Sequence, residues 1–126
     1  MGDRYHIWCD LRDGSRDLEF CRDVDAWLGH LAEQGAIDGW RIGRRKLGLG
    51  PPDIGEFHIE IAVRDLAQLD AAFAEAARRE GEAETRHGAV YRAVRNPRFA
   101  LYRDFPDPGR GRAAGEPAAR ADSEGG

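Results

Sequence analysis

An α+β fold, with the order strand, helix, strand, strand, helix, strand, is predicted by three observations. Residues 5–11 and 57–63 alternate apolar and polar side chains with period two. Between and after them, apolar residues recur at helical spacing up to Gly35 and again up to Gly81. A hydrophobic content of 41% over 126 residues supplies one modest core and no second one.

The first strand places Ile7, Cys9 and Leu11 on one face and His6, Trp8 and Asp10 on the other. Asp13, Gly14 and Ser15 make a turn. Phe20, Val24, Trp27, Leu28 and Leu31 then mark one amphipathic helix, with Ser15 as expected N-cap, Asp17 and Glu19 at its positive start and Gly35 as left-handed C-cap. Residues 37–47 read as a strand with Trp40 and Ile42 inward. The loop 48–55 returns the chain to the strand at 57–63, where Phe57, Ile59, Ile61 and Val63 oppose His58 and Glu60. Asp65 and Gln68 have capping-box spacing, and Leu66, Leu69, Phe73, Ala76 and Ala77 form the apolar stripe of the second helix. Ala89, Val90, Ala93 and Val94 give one short helical turn before Pro97. The last strand, 98–104, sets Phe99 and Leu101 against Tyr102.

This order is the ferredoxin-like split βαβ pattern, an antiparallel four-stranded sheet with two helices on one face. Right-handed crossovers put both helices on that face and the first and third strands at the centre. The uncovered face then carries His6, Trp8, Asp10, His58 and Glu60, with Tyr102 alongside. An aromatic sheet face of this kind calls for cover, and a two-fold homodimer whose sheets enclose a cavity, a dimeric α/β barrel, supplies it.

Bulk properties narrow the function. A net charge of -4 argues against a polyanion binder, and Glu60 on the open face with Phe57 on the other argues against an RNA-reading sheet, so no nucleic-acid partner is expected. With no apolar leader and no stretch of membrane-span length, the expectation is a soluble cytoplasmic protein with no membrane partner. Cys9 and Cys21 read as reduced packing residues. Residues 1–105 form the expected domain. Residues 106–126, rich in Gly, Pro and Ala, read as a disordered tail whose three Arg face four acids.

The segments YHIWCDLRDGSRDLEF, RRKLGLGPPDIGEFHIEI, DLAQLDAAF and RFALYRDFPD resemble a family of short bacterial proteins of unknown function, over residues 5–107. That resemblance implies no established chemistry. More loosely, the topology is similar to the dimeric α/β barrel superfamily, which includes cofactor-independent quinol and anthrone monooxygenases, dye-decolourising and haem-degrading enzymes, and stress-responsive barrels. None of their catalytic motifs maps onto residues of this chain, so the analogy implies the fold only.

The open face carries the candidate chemistry. If the first and third strands pair with their starts aligned, as parallel neighbours, His6 comes beside His58, and Glu60 and Asp10 complete an acid/base set, whereas a slip of two residues would pair His58 with Trp8 instead. His6, His58 and Glu60 are also the one compact set for a metal, since Asp10 stands about 13 Å along the strand from His6. Trp8 and Tyr102 would stack on a substrate, and Arg41 or Arg45 would hold an anionic oxygen or neutralise Glu60. The expectation is a small enzyme without cofactor, a monooxygenase, isomerase or cyclase acting on an aromatic or carbonyl compound. The competing expectation is a non-catalytic small-molecule or metal binding protein.

Overall fold

The computed structural model describes residues 2–78 and 81–106. Its elements are β1 (Asp3–Leu11), a 3-10 turn (Gly14–Arg16), α1 (Asp17–Glu33), β2 (Gly39–Arg44), β3 (Phe57–Val63), α2 (Leu66–Ala77), α3 (Gly81–Ala93) and β4 (Val94–Arg103). The strands form one sheet in the order β2-β3-β1-β4, antiparallel at every pairing. This is the ferredoxin-like α+β fold, with β1 and β3 central. The expected tail from residue 107 onward lies outside the described residues.

Alternation in the central strands builds the core. Cys9, Ile59, Ile61 and Val63 turn to the helix side and pack with Phe20, Val24, Leu28 and Leu31 of α1, Leu69 of α2 and Val90 of α3. Each aliphatic side chain buried this way stabilises the fold by about 1.5–3 kcal/mol. His6, Trp8, Asp10, His58 and Glu60 have the opposite parity and take no part in that cluster.

Three local expectations are corrected. Asp13, not Ser15, opens the first helical segment, because its carboxylate accepts from the Ser15 N–H at 3.0 Å and the Ser15 hydroxyl at 2.6 Å. The strand expected at 37–47 is shorter, since the chain leaves β3 after Arg44 while Ile37 is buried ahead of β2. The short turn expected at 89–94 is the end of the 13-residue α3. Its apolar pattern is weak, and it gains its partner only in three dimensions, where Val90 is buried and His87 lies 4.9 Å from the Trp27 ring of α1. Pro97 consequently falls inside β4, where an edge strand tolerates a missing N–H.

Asp65 caps α2 as its spacing predicts, accepting from the Gln68 N–H at 2.8 Å. Gln68 is buried, and its side chain reaches past Asp65 instead of closing the box on the Asp65 N–H. Its amide donates to the Gly35 carbonyl and to Asp38, both at 3.0 Å, and its oxygen accepts from the Arg64 N–H at 2.8 Å. One side chain thereby ties the start of α2 to the end of α1 and the approach to β2.

Candidate active site on the open sheet face

Register arranges the open face in rows across the sheet. Arg41, Glu60, His6 and Ala100 form one row, and Gly43, His58, Trp8 and Arg98 form the next. The aligned-start pairing of β1 with β3 is therefore corrected. The strands run antiparallel, so His6 lies opposite Glu60 and His58 opposite Trp8. The two histidines still meet, as diagonal neighbours on adjacent strands, a distance that long side chains reach.

Their contact is specific. His6 Nδ1 lies 2.8 Å from His58 Nε2, with ring centroids 5.0 Å apart and planes within 4°. A nitrogen contact that short at that centroid distance requires the imidazoles to lie edge to edge in nearly one plane, not face to face. Trp8 runs parallel to them within 11°, 4.9 Å from His58 and 5.5 Å from His6, and Tyr102 meets His6 edge-on at 5.0 Å. The result is a hydrogen-bonded imidazole pair framed by two aromatic rings.

Burial and the nearby arginines favour the neutral form of this pair. Half-burial pushes both imidazoles below their usual value. The neighbouring His6 and the Arg41 charge push His58 further, and Arg4 and Arg41 push His6, while Glu60 pulls both the other way. In the neutral pair one ring donates to the other, so the short contact carries a single proton and each ring keeps an outer nitrogen. Glu60 is nearly buried, with its side chain 13% exposed, and receives Arg4 at 3.1 Å and Arg41 at 3.2 Å. One donor atom from each of His6, His58 and Glu60 lies within 4.8 Å of the others, the single such group among the described residues.

The remaining predicted residues divide. Tyr102 joins the cluster, 61% exposed, and Arg41 reaches it through Glu60. Asp10 does not reach the imidazole pair, because its carboxylate accepts from the Glu56 N–H at 3.0 Å and pins the start of β3. Arg45 is likewise turned to structure. Its guanidinium donates to the carbonyls of Pro51 at 2.9 Å, Ile54 at 2.6 Å and Gly55 at 3.5 Å, which holds the β2–β3 loop in place.

Two arginines escaped the sequence reading. Arg4 bridges Glu60 and Asp104. Arg98 sits beside Trp8 on β4 and has no ion pair among the described residues. Both share parity with predicted site residues, Arg4 with His6 and Arg98 with Tyr102, so alternation carried the signal.

Comparison with known sequences now places the chain. It belongs to the family of unknown function DUF6614. The family's sequence profile matches residues 2–115. No curated protein matches the chain. Among solved structures, this chain is similar to SnoaB, a cofactor-independent oxygenase from Streptomyces nogalater, with a TM-score of 0.62 and 10% identity, covering 86% of this chain and 98% of that one. It is also similar to a dimeric ferredoxin-like protein of unknown function from Jannaschia sp. CCS1, with a TM-score of 0.60 and 13% identity over 82% and 100% of the two chains. A third likeness is a dimeric protein of unknown function and ferredoxin-like fold from Bacteroides fragilis, at 0.53 and 10% over 80% and 94%. At these identities the likeness establishes the fold. No helix among the described residues is long and apolar enough to cross a membrane.

Proposed function

We propose that this DUF6614 protein is a homodimer whose two open sheet faces enclose a polar-aromatic cavity, and that the His6–His58 pair moves a proton on a small aromatic or carbonyl compound. The observation that carries this reading is the coplanar imidazole pair, 2.8 Å apart on a sheet face outside the core. A neutral imidazole accepts a proton from carbon, and its hydrogen-bonded twin shares or returns it. Isomerisation or cyclisation through an enolate needs that step, and so does cofactor-independent oxygenation of a carbanion. Support comes from the fold held in common with SnoaB, a cofactor-independent oxygenase, and with proteins described as dimeric. The exposed Tyr102 and half-buried Trp8 also favour a covered face.

The test is exchange of the α-protons of 2-tetralone in D2O, followed by NMR. Wild type accelerates exchange over buffer, and His58→Ala or His6→Ala loses about 10²–10⁴-fold of the acceleration. Wild-type exchange no faster than that of the double variant refutes the proton-transfer role. Sedimentation reports the assembly, and a monomer at micromolar concentration removes the enclosed cavity.

A second reading, metal binding without turnover, is favoured by the clustered donor atoms of His6, His58 and Glu60. Against it, Glu60 is already engaged by two arginines. Calorimetric titration with Zn2+ or Mn2+ decides, because a site of this kind gives stoichiometric binding that Glu60→Ala abolishes.

A further inference from the structure

We infer that the cleft between the β2–β3 loop and the Trp8–His58 pair seats the substrate, and that it selects a planar molecule of two fused rings, an aromatic ketone or its enol. This rests on the proton-transfer reading of the imidazole pair. The cleft holds about 240 Å³, is open on its outer side, and is lined by Trp8, His58, Gly43, Leu49 and Ile54 together with the charged Arg44, Arg45 and Glu56. Gly43 is the β2 neighbour of His58, and a Cβ built on it meets nothing within 4 Å. The flank of His58 is therefore open to the cleft because residue 43 has no side chain.

The wall opposite is held by several ties. A Cβ on Gly55 would come 2.3 Å from the Cys9 backbone, Asp10 holds the Glu56 N–H, and Arg45 grips three loop carbonyls. These ties also consume the local charge. Arg45 is spent on carbonyls, and Arg44 pairs with Asp17 at 3.0 Å and Glu56 at 2.7 Å. What remains for a ligand is an indole, two aliphatic side chains and one neutral imidazole, a set that suits an apolar plane bearing one weakly acidic group. A cleft of about 240 Å³ has room for a planar molecule of two fused rings.

The experiment titrates the full-length 15N-labelled protein with 2-naphthol, the planar analogue of the 2-tetralone enol, and follows amide and indole correlations. Saturable shifts at the Trp8 indole N–H and the Gly43, Gly50 and Gly55 amides are expected. Gly43→Val, in a strand position with free space, weakens binding at least tenfold and slows 2-tetralone exchange. Leu49→Asp, on the exposed loop, does the same independently of any effect on the sheet. His6→Ala lies outside the lining, so it keeps 2-naphthol binding while losing exchange. Shifts confined to the separate 310 Å³ cavity lined by Arg12, Asp13 and Arg92 overturn the proposal, as does unchanged binding in both cleft variants. Cleft binding without any catalysed exchange refutes the proton-transfer reading and leaves the seat standing. Catalysed exchange that both cleft variants preserve refutes the seat alone.

Discussion

Two glycines twelve positions apart in the sequence should respond differently to the same substitution, one with a large loss of stability and the other with none. Gly55 approaches β1 so closely that a Cβ would sit 2.3 Å from the Cys9 carbonyl carbon, 2.4 Å from its oxygen and 2.8 Å from its Cα. These are backbone atoms of a central strand, which cannot rotate aside. Gly55→Ala therefore forces the loop and β1 apart, at about 1–3 kcal/mol for overpacking. The separation also strains the Glu56 N–H to Asp10 bond of 3.0 Å, a charge-assisted contact contributing about 1.5–3 kcal/mol. Together these cost about 3–5 kcal/mol, a large part of the roughly 5–15 kcal/mol available to a domain. In urea, at a slope of about 1.5 kcal/mol per M, the midpoint falls by about 2–3 M. Gly43→Ala is the matched control, with nothing within 4 Å of its added carbon. It leaves stability unchanged or raises it by about 0.4–1 kcal/mol through the unfolded chain. The assay is equilibrium urea unfolding monitored by far-UV circular dichroism. A Gly55→Ala variant within about 0.5 kcal/mol of wild type refutes the claim that the loop is seated on β1.

Three further outcomes follow from particular contacts. Gln68→Ala deletes three hydrogen bonds of a buried side chain and leaves the Arg64 N–H and Gly35 carbonyl unpaired, so stability falls by about 2–4 kcal/mol and the calorimetric Tm by roughly 10 °C. His6 and His58 both have folded-state pKa values below the usual 6.5, so the unfolded chain binds more protons in the window beneath that value. The pair's contribution to stability is complete above pH 6.5 and fades as pH falls through the folded values. An imidazole NMR titration placing either midpoint at or above 6.5 contradicts this. Burial, with Asp10 next, pushes the Cys9 thiol up to about 11, so native protein at pH 8 yields one iodoacetamide-reactive thiol at most, that of Cys21, and Cys9 reacts only after unfolding.

Much of the candidate site was legible because strand parity is a local property. Once residues 5–11 and 57–63 read as strands, His6, Trp8, His58 and Glu60 had to share a face opposite Ile7, Cys9, Ile59 and Ile61. Capping signals were local too, and Asp65, Gln68 and Gly35 act at the ends their residue types predict. Residues with more than one use were not legible. Asp10 and Arg45 have the parity of site residues, yet each is claimed by the loop that folds back beside it. Helix α3 was underestimated because its apolar residues are sparse and its partner, α1, lies about fifty positions away in sequence.

By itself, then, the sequence determined the element order, the two-faced antiparallel sheet and the residue types on its open side, since each follows from alternation, helical spacing and chain connectivity. Only the tertiary structure decided that β1 and β3 pair in the register that sets His6 opposite Glu60, that His6 reaches His58 diagonally, and that a glycine opens His58 to a cleft. The physical reason is range: period and capping are settled by neighbours within a few residues, whereas register and side-chain partnership are settled by atoms that meet only after the chain has folded.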